Sequence, residues 1–162
     1  MDKTERPAAS GLFEGAVTRR TFAATGLVTG FTLAAGPLNA AAIVTNAAGL
    51  DASEVQVPVS GGKIPAYRAK PAGQKNLAVV IVVQEIFGVH EHIKDLCRRL
   101  AHRGYYAIAP SLYAREGDAG KYDMSTVQDL IKDVVSKVPD AQVMTDIDST
   151  VTFAGGDGGN TD

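Results

Sequence analysis

The spacing of apolar and polar residues predicts a β-hairpin at the start of the folded region. Residues 55–59 alternate valine with glutamine and proline, the period of a half-exposed strand. Residues 60–63 carry a glycine pair typical of a turn, and residues 64–69 can return as the second arm. Pro65 lies within that arm and predicts an edge strand, because proline cannot donate to a sheet ladder.

The next two elements follow the pattern of a parallel β-α-β unit. Residues 77–83 are uninterruptedly apolar, which predicts a strand buried on both faces. A helical stripe at i, i+3, i+4, i+7 and i+8 follows, formed by Ile93, Leu96, Cys97, Leu100 and Ala101. Gly104 stands in the position where helices commonly end. Residues 105–109 then predict a second parallel strand, stopped by Pro110.

Two further helices are predicted after a long loop over residues 111–123. Ser125 and Gln128 form a possible capping box for a helix that runs to about Val138. Residues 139–153 predict another helix with a stripe of Val143, Ile147 and Val151, and the glycine-rich residues 155–160 predict a flexible tail. Alternating strands and helices indicate an α/β fold with a doubly wound, mostly parallel sheet.

The first 42 residues predict an export signal rather than part of the fold. Arg19 and Arg20 precede an apolar stretch, residues 22–35, which is shorter than the roughly 20 residues that span a bilayer. A Gly-Pro break and small residues suited to cleavage follow, over residues 36–42. We expect delivery by the twin-arginine export machinery to the periplasm or outside, with membrane contact only in transit. An uncleaved membrane anchor is the alternative, and residues 43–53 are interpreted as a linker.

Composition excludes several classes of function. The net charge is −2 and the basic residues are dispersed, so no nucleic-acid footprint is present. A single cysteine, Cys97, excludes an internal disulfide and a multi-cysteine zinc site. His90 and His92 are two residues apart on a helix start and point to different faces, which makes joint metal chelation awkward. They are interpreted as solvated first-turn residues, and neither a metal nor a cofactor is predicted.

Two motifs lie where the predicted parallel strands end. Gln84-Glu85-Ile86-Phe87-Gly88 follows the first strand directly, and Leu112-Tyr113-Ala114-Arg115 follows the second. A charged residue at the end of a buried strand is costly unless it has a function or a partner. On these motifs the chain resembles the dienelactone hydrolase (carboxymethylenebutenolidase) family of α/β-hydrolases, over roughly residues 55–153. The resemblance implies an α/β-hydrolase-like fold and hydrolysis of small-molecule carboxylic esters or lactones.

The resemblance also implies roles for four residues. Glu85 would be the carboxylate that helps a cysteine thiol become a thiolate, and Ile86 would give its backbone N–H to the oxyanion hole. Tyr113 and Arg115 would contact substrate, with Arg115 facing a substrate carboxylate. Glu85 could instead be structural and pair with a buried arginine. Arg115 could instead anchor its loop through an ion pair with one of three neighbouring carboxylates, Glu116, Asp118 or Asp123.

The family nucleophile is a cysteine in a G-x-C-x-G-G elbow, followed by an aspartate and a histidine. Cys97 lies on an apolar helical stripe without flanking glycines, and we interpret it as a buried core residue. Residues 54–162 are therefore expected to be the N-terminal part of a hydrolase domain, truncated before the elbow and inactive alone, with the triad beyond Asp162. The alternatives are an esterase relative with a serine nucleophile, or a non-catalytic fragment.

Overall fold

The computed structural model describes residues 44–162, and the predicted export signal lies outside the described residues. In chain order the described elements are β1 (Leu50–Val59), β2 (Gly62–Pro71), β3 (Leu77–Ile81), α1 (Glu91–His102), β4 (Tyr106–Pro110), α2 (Val127–Asp133), α3 (Asp140–Gly156) and β5 (Gly159–Asn160). Two short 3₁₀ turns, Ala119–Lys121 and Val135–Lys137, flank α2. None of the helices in residues 44–162 combines the length and apolar character that crossing a bilayer requires.

The strands form one mixed sheet in the order β1-β2-β4-β3-β5. β1, β2 and β4 are antiparallel, whereas β3 is parallel to both of its neighbours. Alternate residues of β4 enter two different cores. Tyr106 and Ile108 pack with Ala154 of α3, and Ala107 and Ala109 pack with the apolar stripe of α1. Helices therefore cover opposite faces of the sheet, and the predicted doubly wound α/β fold is confirmed. The sheet in the described residues is mixed rather than mostly parallel, because two of its four strand pairings are antiparallel.

β2 is an interior strand, so the prediction of an edge strand from Pro65 is wrong. β2 pairs with β1 along its whole length and with β4 over Ala66 to Ala69. The carbonyl of Pro65 accepts a hydrogen bond from Ser111 N at 2.8 Å, just beyond the end of β4. The proline nitrogen faces the same side as its carbonyl, where β4 has ended, so no ladder donor is lost there.

The segment interpreted as a linker contributes to the fold. β1 begins at Leu50, and residues 50–53 pair with the C-terminal end of β2. The preceding loop is also attached, because Thr45 N donates to the carboxylate of Asp95 on α1 at 2.5 Å. The hydrophobic period did not predict this part of β1 because Asp51 and Ser53 are polar. Both side chains contact Arg68 of β2 and not an apolar core.

β3 is shorter and more open than its apolar sequence predicts. It ends at Ile81, and Val83 is 57% exposed. Its neighbour on one side is only the two-residue β5, which shields little of the strand. The predicted flexible tail is itself ordered: α3 continues to Gly156 and residues 159–160 pair with β3. Gly159 is required there, since a Cβ would lie 2.4 Å from Val79 Cγ2.

α1 follows the predicted stripe closely. Ile93, Cys97 and Ala101 are buried against the sheet, and Leu96 and Leu100 are partly buried beside them. Gly104 has a φ of +89° and closes the helix as predicted. Its N–H donates to Ala101 O at 2.9 Å, and Tyr105 N donates to Leu100 O at 3.2 Å. This pair of bonds is a Schellman motif, which satisfies two terminal carbonyls.

α2 and α3 depart from their predicted boundaries and faces. The expected capping box does not form, because Asp123 Oδ1 accepts the backbone N–H groups of Ser125 and Thr126 and α2 begins only at Val127. α2 ends at Asp133 rather than near residue 138. On α3 the fully buried positions are Asp146, Thr150 and Ala154, whereas the predicted stripe is half-buried. The α3 face was missed because two of its three buried residues are polar.

Candidate active site

A cavity of about 510 Å³ opens at the carboxyl ends of β3 and β4. Two segments form its walls: residues 84–90, which follow β3, and residues 111–120, which follow β4. Both segments carry the motifs singled out from the sequence. Parallel strands bring their carboxyl ends to the same edge of a sheet, which explains why two motifs far apart in sequence share one cavity.

Gln84 joins the two walls. Its side chain is buried, and Oε1 accepts the backbone N–H of Leu112 at 2.9 Å. The amide therefore fixes the start of the 111–120 segment relative to the end of β3. Its Nε2 is also buried and has no hydrogen-bond partner among residues 44–162.

A tight turn follows Gln84. The N–H of Gly88 donates to the carbonyl of Glu85 at 2.9 Å. Gly88 has a φ of +80°, a conformation that favours glycine, and a Cβ added there would lie 3.5 Å from Ala119 Cβ. The turn reverses the chain so that the residues entering α1 come back alongside Glu85.

The carboxylate of Glu85 has a partner that sequence reasoning missed. His90 Nε2 lies 2.8 Å from Glu85 Oε2, and the side chains are 35% and 55% exposed, respectively. The interpretation of His90 as a solvated residue without a role at the site is therefore incomplete. The alternative of a buried arginine beside Glu85 is not seen among residues 44–162, where the partner of its carboxylate is His90. Neither a hydrophobic period nor a sequence motif predicts the contact between Glu85 and His90, because the contact depends on the turn at Gly88.

Glu85 and Ile86 lie at the rim of the cavity rather than in its wall, which is formed by their neighbours Gln84 and Phe87. The side chains of Ile86 and Phe87 pack onto a small apolar cluster built on Ala119, Leu130 and Val134. The N–H of Ile86 has no acceptor among the described residues.

Arg115 lines the cavity and is also held by α3. Its Nη2 lies 2.5 Å from the buried carboxylate of Asp146, and its Nη1 donates to Ser60 O at 3.3 Å. The anchoring alternative therefore has a physical basis, although the partner is none of the three carboxylates named from the sequence. Tyr113 lines the same wall and packs on the apolar cluster under Ile86. A contact of either residue with substrate stays a prediction.

Cys97 lies away from the cavity, in the core between α1 and the sheet. It is fully buried beside apolar neighbours such as Ala69 and Ala107. Burial raises the pKa of its thiol to about 12, against the weaker opposite effect of Arg98. A thiol in this state is not a nucleophile at neutral pH, and the core interpretation is confirmed.

Within residues 44–162, no three histidine, cysteine or acidic side chains gather as a metal site. His90 and His92 stack at a centroid distance of 6.3 Å instead of converging on one point. In the described residues, the cavity wall offers the His90 imidazole, the Arg115 guanidinium and two acidic residues, Glu116 and Asp118, and its rim adds the Glu85 carboxylate and the Ile86 N–H. Such a set can accept a proton and stabilise a developing negative charge on oxygen.

Comparisons with known proteins agree with this geometry. The sequence profile described as "Dienelactone hydrolase family" matches residues 64–160. A protein of Methylorubrum extorquens named "Putative carboxymethylenebutenolidase" is 56% identical over 143 residues, covering 88% of this chain and 48% of the relative. A protein of Escherichia coli with the same name is 48% identical over 132 residues, covering 81% of this chain and 48% of the relative.

A solved structure gives the same result. The crystal structure titled "Putative Dienelactone Hydrolase" from Klebsiella pneumoniae superposes with a TM-score of 0.64 at 54% sequence identity. The match covers 69% of this chain and 46% of that protein. The chain spans about half the length of the curated relatives it matches. By the extent of the profile match, the described domain, with its mixed sheet and its cavity at the strand ends, belongs to the dienelactone hydrolase family.

Proposed function

We propose that the whole protein hydrolyses a carboxylic ester or lactone through a cysteine nucleophile supplied by sequence C-terminal to Asp162. The chain's membership of a hydrolase family supports the reaction class. The relatives are about twice as long as this chain, which leaves room for a nucleophile elbow and for the later aspartate and histidine. On this proposal the 162 residues alone carry out no turnover.

In this reaction Glu85 accepts the proton of the cysteine thiol, and the thiolate forms a bond to the substrate carbonyl carbon. The carbonyl oxygen takes up negative charge, which the N–H of Ile86 helps to stabilise. The departing alcohol oxygen takes the proton held by Glu85 as the carbon–oxygen bond breaks. Water then hydrolyses the acyl-enzyme, which gives the carboxylic acid and returns a hydrogen to sulfur. The observation that carries the proposal is the position of Glu85, at the carboxyl end of β3 and beside the cavity.

Arg115 and Tyr113 would contact the acid portion of the substrate from the opposite wall. Two of the five N–H donors of Arg115 are engaged by Asp146 and Ser60 O, so others remain for a substrate carboxylate. Asp146 would also hold the guanidinium plane in place, which favours bidentate contact with a carboxylate.

The test is a Glu85→Gln variant of the protein expressed from the complete coding sequence, assayed on an aryl ester and an unsaturated lactone. Glutamine keeps the shape but cannot take up a proton, so kcat should fall by about 100-fold or more. Glu54→Gln is the matched control, since Glu54 is similarly exposed and bonds only Lys94 away from the cavity wall. Full activity in Glu85→Gln would refute the catalytic assignment. A serine in place of the elbow cysteine would refute the thiol mechanism.

We further propose that residues 1–42 direct export of the folded protein through the twin-arginine machinery, so that it acts in the periplasm or outside the cell. The order of paired arginines, short apolar stretch, Gly-Pro break and small residues supports this. Replacing both Arg19 and Arg20 with lysine should leave precursor in the cytoplasm, measured by fractionation. Normal trimming and export of that variant would contradict the proposal.

A further inference from the structure

We propose that His90 is a positioning residue for Glu85: its imidazole holds the carboxylate at the cavity rim in the orientation from which it takes the thiol proton. This inference rests on the proposed function of Glu85. It assigns a role to a residue that lies outside the motif of residues 84–88 and that the sequence pattern indicates to be a solvated first-turn residue. The contact of 2.8 Å between His90 Nε2 and Glu85 Oε2 is its starting observation.

The backbone on both sides of the contact is held firmly. Glu85 is fixed by its bond to Gly88 N and by the buried neighbour Gln84. His90 has the extended conformation of a helix N-cap, with φ −87° and ψ −179°, and its carbonyl accepts the N–H of Lys94 at 3.1 Å. Its side chain makes no capping bond, so the imidazole is available to Glu85 rather than to the helix end.

The helix α1, which begins directly after His90, is attached to the rest of the fold by several polar contacts. Asp95 accepts Thr45 N and is paired with Arg99 at 2.5 Å. Arg98 is buried and bonds both Glu91 and the hydroxyl of Tyr67 on β2. The first turn of α1 is thereby tied to the sheet, and the imidazole is presented from a rigid element. A positioning group on a rigid element holds its target more precisely than one on a loop.

The other charged groups near this contact have partners of their own. Glu91 is bonded to Arg98, and Lys94 is paired with Glu54. The His92 ring stacks against His90, and its side chain makes no hydrogen bond within the described residues. Glu85 is therefore the acidic partner of His90 in this structure, and His90 is the basic partner of Glu85.

The reaction step balances without proton transfer from His90. The thiol proton moves to Glu85 Oε1, the oxygen that does not contact His90, as the thiolate forms, and it leaves later with the departing oxygen. The proposal assigns the tautomer in which Nε2 of His90 carries a hydrogen and donates it to the carboxylate while Glu85 accepts the thiol proton. Its effect is to hold Glu85 in the orientation from which it accepts that proton, which matters because a catalytic group displaced by about 1 Å can lose about 100-fold in rate.

The kinetic experiment compares three variants of the protein from the complete coding sequence. His90→Ala removes the donor and should lower kcat about 10-fold with KM changed less than about twofold. His90→Gln returns an N–H donor at similar reach and should recover activity to within about threefold of the parent. His92→Gln is the control on the same helical turn and should stay within about twofold. Equal losses in all three variants, or no loss in His90→Ala, would overturn the proposal.

A spectroscopic experiment on the 162-residue chain tests the contact without any assay. The chain has three histidines. His102 serves as the internal reference, because its ring bonds the carbonyl of Asn46 and not Glu85. At a fixed pH, Glu85→Ala should move the ring ¹⁵N signals of His90 and leave those of His102 unchanged. Unmoved His90 signals would overturn the proposed contact. If the signals move but Glu85→Gln keeps full activity, the proposed function fails while the contact stands.

Discussion

Arg115 reaches from the cavity wall to Asp146, a carboxylate that α3 presents from a buried position. The distance between Arg115 Nη2 and Asp146 Oδ2 is 2.5 Å, and the aspartate is 1% exposed. A carboxylate this deeply buried needs a cation beside it. One arginine therefore stabilises α3 and faces the cavity at the same time, which couples the stability of the fold to the shape of the site.

We expect Arg115→Met to lower the free energy of unfolding by about 2 kcal/mol, because Asp146 would be left buried without its cation. The arginine side chain is about a quarter exposed, so water can replace part of the interaction. Urea unfolding followed by circular dichroism measures the change. A double variant with Asp146→Leu should recover most of the loss, since no unpaired charge remains. If the double variant is as unstable as the sum of the single ones, the two residues are not coupled.

Cys97→Ala should leave ester or lactone turnover intact in the complete protein and cost roughly 1–2 kcal/mol of stability through lost packing. The difference in free energy of unfolding between the parent and Cys97→Ala should also depend on pH. Burial raises the pKa of the folded-state thiol to about 12 from its ordinary value of 9.0. The unfolded thiol therefore ionises first as the pH rises, so this group contributes stability that is intact below pH 9 and is lost towards pH 12.

The free energy of unfolding of the parent, relative to Cys97→Ala, should consequently fall by about 1.4 kcal/mol per pH unit above pH 9. Equilibrium unfolding of both proteins between pH 7 and pH 10.5 measures it, and the shared titration of lysines cancels in the difference. A difference that does not change with pH would mean that the thiol is not desolvated in the native state.

Asp157 should be a main anchor of the C-terminal end of α3. Its Oδ2 accepts hydrogen bonds from Tyr106 at 2.8 Å, Arg68 at 2.7 Å and Lys70 at 3.2 Å. Burial alone would raise the pKa of Asp157, but these hydrogen bonds outweigh it and hold the pKa below its ordinary value. Asp157→Asn should cost about 1–3 kcal/mol at pH 7.

The contribution of Asp157 to stability is present above the unfolded-state pKa and is lost as the pH falls through the lower folded-state pKa. The difference in free energy of unfolding between the parent and Asp157→Asn should therefore become smaller below about pH 4. Urea midpoints at pH 3, 5 and 7 measure this. Asp148→Asn, an exposed aspartate on the same helix, is the control and should be close to neutral.

Gly104→Ala should destabilise the chain by about 1–2 kcal/mol, because an alanine at φ +89° places Cβ against the backbone of its own peptide. No other atom lies within 4 Å of that Cβ, so the cost is conformational and not a clash. Gly156→Ala is the matched substitution at the last residue of α3, without a positive φ or a close neighbour. It should be neutral or stabilising by up to about 1 kcal/mol. Similar thermal midpoints for the two variants would contradict the assignment of Gly104 as a left-handed cap.

Elements whose side chains follow one simple period were predictable from the amino-acid sequence alone. The stripe that includes Ile93 and Cys97 predicted α1 and its buried face, and Gly104 predicted where that helix stops. The apolar segment before Gln84 predicted β3, and the motif after it placed Glu85 at the end of a strand. Local patterns suffice for these features because burial of apolar side chains and the conformational freedom of glycine are local properties.

Features that depend on polar partners far apart in sequence became visible only in the folded chain. Asp146 can be buried on the inner face of α3 because Arg115 pairs with it, and no helical period reveals that partner. β1 begins in a polar segment because Asp51 bonds Arg68 across the hairpin. His90 reaches Glu85 only because the turn at Gly88 reverses the chain. A polar residue carries no sequence signal of burial until its partner is known, and the partner is set by the fold.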